Sequence, residues 1–207
     1  MSVEGKDDEY VIYAIRDIYG VAKETFKIKD KQGIENVLEE TDSTLIDGNT
    51  DVCLGIVIDA DLDLKARWQS ISNILQKAGY ANIPPQPDPT GTVIKQENKI
   101  SFGVWIMPDN QIQRGMLEDF LSFLVPDKEN NPIWKKAVKS TEEVLNEVAE
   151  EHRFGDIHLS KARIHSYLAW QKECGKPFGI SITAKYLQAD NPNCETFVNW
   201  LKRLFVD

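Results

Sequence analysis

Two short acidic clusters in this chain have the composition that divalent-cation chemistry needs. The first is Glu4-Gly5-Lys6-Asp7-Asp8-Glu9, and the second is Asp59-Ala60-Asp61-Leu62-Asp63. In extended backbone, residues two apart face the same side, so Asp59 and Asp61 can address one cation together. Magnesium is a hard ion that takes oxygen ligands and keeps several waters, so a few carboxylates are enough to hold it. Gly5 permits a sharp bend through which Glu4 can reach toward the second cluster. Each cluster alone also has a plain structural use. Asp7, Asp8 and Glu9 favour the dipole of a helix they begin, and Asp63 suits a turn or a helix cap. What favours a metal site is the combination, with Asp59-x-Asp61 closing an apolar run and Glu4 preceding a glycine.

Such clusters act together only if the fold joins distant segments. Val11, Ala14, Ile15, Ile18 and Tyr19 recur at helical spacing. Phe26–Lys29 has the pattern of a short strand, and Ile34, Val37 and Leu38 mark a helix after Gly33. Cys53–Ile58 is an unbroken apolar run ending in Asp59, as expected of a strand buried on both faces. Trp68, Ile71, Leu75 and Ala78 form the next helical stripe, with Gly79 as its stop. This β–α alternation predicts an α/β layer fold. Ligands of open α/β sheets bind beyond the carboxyl ends of the strands, which puts both clusters on the functional edge.

Pro84–Pro89 cannot be helix or inner strand and predicts a rigid surface loop. Thr92–Lys95 and Ser101–Met107 flank a polar turn and predict paired strands. Met116–Val125 predicts a helix stopped by Pro126, and Ile133–His152 a long one with Trp134, Val138, Leu145 and Val148 inward. Ser160 is placed to cap a helix carrying Ile164, Leu168 and Ala169. A final helix carries Phe197, Val198, Leu201, Leu204 and Phe205. The expected organisation is one domain over residues 1–207. Residues 1–125 form its core with the acidic motifs, and residues 126–207 a helical extension packed on that core.

Composition removes several functional classes. The 207 residues carry a formal net charge of -9, which argues against a protein that coats nucleic acid by bulk electrostatics. The charge is uneven, with 27 acidic and 16 basic residues in 1–150 but 6 and 8 in 151–207. No apolar stretch is long enough for a membrane span, and MSVEGKDDEY has no signal-peptide pattern. Cys53, Cys174 and Cys194 are too few and too scattered for a disulfide framework or zinc ribbon, so a reduced, cytoplasmic setting is expected. His152, His158 and His165 lack metal-ligand spacing, and neither a G-x-S-x-G elbow nor a phosphate-binding P-loop motif is present.

VEGKDDE followed by LGIVIDADLD resembles the motif order of a Toprim domain. WQSI, PDPTG, WIMPDN, GMLEDFL, SKARIHSYLAWQ, GKPFGISI and FVNWLKRLF extend the likeness over the whole chain, toward a small stand-alone Toprim family related to OLD-type nucleases and of unassigned function. The resemblance implies a Toprim-like (Rossmann-like), mainly parallel sheet flanked by helices, with additional C-terminal helices. It implies that Glu4 works as an acid/base or metal ligand and that Asp59 and Asp61 coordinate Mg²⁺ or Mn²⁺. Glu118 and Asp119, which open the helix after the Trp105–Met107 strand, match its third acidic element. Only Met1-Ser2-Val3 precede Glu4-Gly5, fewer apolar residues than the family's first strand carries, so either that strand is a stub or the start omits a few residues. Lys161 and Lys176 can each oppose a phosphate. Lys176 stands in the constrained turn Gly175-Lys176-Pro177 and is taken as the catalytic cation.

The expected function is Mg²⁺-dependent phosphoryl or nucleotidyl transfer on DNA or RNA, nuclease-like in character. The rival expectation is a non-catalytic Toprim module that binds a metal or a protein partner. A receiver-like pocket phosphorylated on Asp59 is disfavoured, because no lysine ends a late core strand.

Overall fold

The two unbroken apolar runs become the central strands of a five-stranded sheet. The computed structural model describes residues 1–207. Its strands are β1 (Ser2–Val3), β2 (Lys29–Asp30), β3 (Cys53–Asp59), β4 (Thr92–Ile94) and β5 (Ser101–Met107). Eight α-helices surround them: α1 (Lys6–Ile18), α2 (Ile34–Asp47), α3 (Leu64–Lys77), α4 (Leu117–Phe123), α5 (Pro132–Glu147), α6 (Leu159–Ala169), α7 (Phe178–Thr183) and α8 (Pro192–Phe205). The sheet order is β2-β1-β3-β5-β4, parallel throughout except that β4 runs antiparallel to β5. The protein is therefore α/β with a mostly parallel sheet. No helix is long and apolar enough to cross a membrane.

Alternation along the strands sends side chains to two separate cores. Leu54, Ile56, Ile58, Phe102, Val104 and Ile106 pack under α2 and α3, with Trp68, Ile71 and Leu75. Val3, Val57, Trp105 and Met107 face the other way, under α1 and α4–α8. Residues 126–207 thus cover one face of the sheet directly. α8 lies there because Gly55 and Gly103 pair in register and leave no side chains above them. Leu204, 2 % exposed, fills the trough; a Cβ on Gly103 would stand 2.4 Å from its Cδ2.

Some local expectations shift. The chain around Phe26–Lys29 pairs only at Lys29–Asp30, because Phe26 and Ile28 leave the strand direction to enter the core. The long helix ends at Glu147, and Val148 lies outside the packed stripe at 38 % exposure. Asn131 caps its start. Ser160 sits inside the first turn of α6 and donates to Asp119 rather than capping the helix. The six-residue α7 is too short to show a period and was not expected.

Candidate functional site

The strand order reverses beside β1: the chain passes from β1 out to β2, then returns to β3 on the other side. Ligands of open α/β sheets bind at such a switch point, beyond the carboxyl ends of the strands, here β1 and β3. Glu4 follows β1 and Asp59 ends β3, so the topology brings residues 55 positions apart to one crevice. A Glu4 carboxylate oxygen accepts the Asp59 backbone N–H at 2.7 Å.

The helices leaving this edge supply the remaining groups. α1 starts at Lys6, which makes Asp8 its third residue and turns that side chain back to accept the Gly5 N–H at 3.1 Å. Asp8 is only 9 % exposed. Asp59 Oδ1 accepts the Leu117 N–H at the start of α4, at 2.9 Å. The next residue, Glu118, is 7 % exposed and faces Lys161 Nζ at 3.6 Å.

Electrostatics register the crowding. Burial, reinforced by Asp8, Glu4, Glu118 and Asp61, pushes the Asp59 carboxyl up to about 9. Burial and then Glu4 push Asp8 up to about 7. Burial also raises Glu4, opposed by the Asp59 N–H. Five carboxylates thus converge, on too few cations to neutralise them. Asp61 is turned aside by its left-handed backbone, φ 52°, which is held by reciprocal hydrogen bonds with Gly115 at 2.9 and 3.0 Å. Its carboxylate pairs with Arg67, whose Nε donates to the Asp59 carbonyl at 2.9 Å. As placed, no three His, Cys, Asp or Glu side chains form a metal-holding group. The geometry explains this: Glu4 and Asp61 point at protein donors. Asp61 would have to leave Arg67 to join Asp59 on a shared cation.

Glu4, Asp59, Asp61 and Glu118 are brought together. Asp119 is not: one oxygen accepts the Met116 N–H at 2.9 Å and the other accepts from Ser160. It is a capping residue that ties α4 to α6. Lys176 is also outside the group, paired with Glu173 at 2.7 Å across one turn of exposed chain. Lys161 occupies the cationic position instead. Asp63 caps α3 by accepting the Ala66 N–H at 3.0 Å. Asp8 is the member that sequence reasoning set aside as a dipole-favouring residue. Its signal was its place at the third helical position, which aims a carboxylate back over the Glu4-Gly5 bend.

A family model described as "Protein of unknown function (DUF3226)" matches residues 1–206, and the chain belongs to that family. No curated protein and no solved structure matches it.

Proposed function

We propose that the chain is a Toprim-like protein that cleaves phosphodiester bonds in nucleic acid with the help of Mg²⁺ or Mn²⁺. The observation that carries this reading is the convergence of Glu4, Asp8, Asp59, Asp61 and Glu118 at the switch point of the sheet. Carboxyl groups crowded around Asp59 either take up protons or gain from a counter-ion, and an all-oxygen donor set suits a hard divalent cation. Asp59 and Asp61 would be its principal holders, with Glu4 and Glu118 beside them.

When bound, the cation neutralises charge developing on the phosphate and acidifies a nearby water. The chain's own groups have separate tasks. Glu4, raised by burial and close to Asp59, can take a proton from that water. The Asp59 N–H holds the Glu4 carboxylate in place. Lys161 offers a positive charge toward the anionic transition state. Arg67 keeps Asp61 neutralised until a stronger cation competes for it.

The test is cleavage of single- and double-stranded DNA and RNA with Mg²⁺ or Mn²⁺. Asp59→Ala and Glu4→Ala are each expected to lower the rate at least about 100-fold. Metal-dependent cleavage left intact by both substitutions overturns the site. The pairing of Asp61 with Arg67 favours one second reading, a metal- or partner-binding module without turnover. Calorimetric titration with Mn²⁺ separates the two, since saturable binding without cleavage of any substrate supports the module.

A further inference from the structure

A cavity of about 370 Å³ lies on the α3 side of the same sheet edge, between the first turns of α3, the Pro84–Pro89 loop and the loop after β5. Its volume is within the range of small-molecule sites. The lining has a definite chemical character. Gln86, Gln111 and Gln113 contribute three carboxamides, and Lys65 is the only charged residue. The lack of a carboxylate in the wall argues against a metal or an amine as occupant. Carboxamides pair a donor with an acceptor, as the edges of nucleobases do. Proline rings and the edge of Trp68 give flat apolar surface between these polar groups.

Asn110 anchors the wall behind these groups. It is 2 % exposed and holds a left-handed backbone, φ 64°. Its Oδ1 accepts the Ile106 N–H at 2.7 Å, while its Nδ2 is buried without a partner. That carboxamide is closed off from the cavity and holds the turn after β5, leaving the exposed glutamines to meet a ligand. The wall is also tied to the carboxylate site. The Leu64 N–H donates to the Gln113 carbonyl at 2.9 Å, and two residues along Asp61 bonds Gly115. Residues 113–115 therefore link the cavity wall to Asp61.

We propose that this cavity receives the base of a nucleotide whose phosphate lies at the Glu4–Asp59 site. The inference rests on the phosphodiester reading of that site and adds a subsite for a base beside the bond that is cut. The glutamine carboxamides read the base edge, and Lys65 faces the connecting backbone. The subsite selects unpaired nucleotides, because a base inside a duplex cannot enter a pocket of this kind.

The test compares the four 5′-deoxynucleoside monophosphates with 2-deoxyribose 5-phosphate, which lacks a base. Binding to the full chain is measured by calorimetry with Ca²⁺ in place of Mg²⁺. At least one nucleotide is expected to bind about tenfold more tightly than the sugar phosphate. Gln111→Ala combined with Gln113→Ala, both exposed positions, is expected to bring that ratio close to one. Asp59→Ala is expected to weaken nucleotide and sugar phosphate equally and so preserve the ratio. Equal affinities in the native chain, a ratio that survives the double substitution, or no binding of any probe overturns the subsite. If the ratio stands but Asp59→Ala changes neither affinity, the subsite survives and the metal-centred reading fails.

Discussion

β3 and β5 are built to opposite ends. At Gly55 and Gly103 the two strands give up their side chains so that Leu204 can approach the backbone closely, and every group there is apolar. Four residues further along β3, the same strand pair ends in Asp59 beside Asp8, Glu4 and Glu118. One end gains from burial and shape complementarity. The other holds like charges in a half-buried crevice, which a stability-optimised sequence would not keep. The difference separates residues that hold the fold from residues retained in spite of it.

The sharpest way to break this contrast is at the apolar end. Leu204→Ala should cost about 2–5 kcal/mol through lost burial and a residual cavity. Gly103→Ala should cost about 1–3 kcal/mol through overpacking against the Leu204 methyl groups. Combining the two should cost less than their sum, because the added methyl enters the space that leucine vacates. Denaturant unfolding of the three variants measures this. Simple additivity would mean that α8 does not seat against the glycine pair.

At the acidic end the sign reverses. Asp59→Asn should stabilise the metal-free protein at pH 8 by about 0.5–2 kcal/mol while abolishing cleavage. The pH dependence follows from the same groups. Asp8 and Asp59 bind protons more tightly in the folded chain than their ordinary value near 3.8, at about 7 and about 9. The folded state therefore holds more protons than the unfolded one between these limits, and stability falls as pH rises from about 4 toward 9. Below pH 4 these two groups are protonated in both states and their contribution is level. Thermal unfolding against pH should show the decline, Mn²⁺ should flatten it, and Asp59→Asn should confine it to below about pH 7. A metal-free stability that rises over this range would contradict the crowding of the five carboxylates.

Smaller effects come from residues at the acidic edge that serve structure alone. Asp63→Ala removes the N-cap of α3 and should cost about 1 kcal/mol in thermal unfolding. Because Asp63 points at the Ala66 N–H and away from Asp59, the pH profile of the variant should keep its native shape.

How much of this could be read from the chain follows from what each feature depends on. β3 and β5 are legible because burial on both faces demands unbroken apolar runs, and Asp59 is legible because a carboxylate ending such a run is out of keeping with it. The β2 segment is not, since two paired residues leave no period and tertiary packing of Phe26 and Ile28 decides the path. Asp8 and Asp119 show the limit most clearly. Both are acids at the third position of a helix, and both accept the N–H of the residue before it. Only the topology distinguishes them, placing α1 at the switch point and turning the free oxygen of Asp119 toward Ser160.

The two lysines give the smallest effect on stability and a direct comparison of site with surface. Lys176 and Glu173 form a surface pair, and Lys176→Ala should leave the unfolding midpoint near the native value. Lys161 is also largely exposed, at 56 %, but its partner Glu118 is 9 % exposed at the side chain. Removing its charge leaves Glu118 facing Asp59 without a counter-charge. Lys161→Ala should therefore slow metal-dependent cleavage, and Lys176→Ala should leave the rate at the native value. The same cleavage assay on both variants decides it. A loss of activity in Lys176→Ala with Lys161→Ala unaffected would mean that the phosphate approaches from the α7 side, and that the cation opposing it comes from the Gly175-Lys176-Pro177 turn rather than from α6.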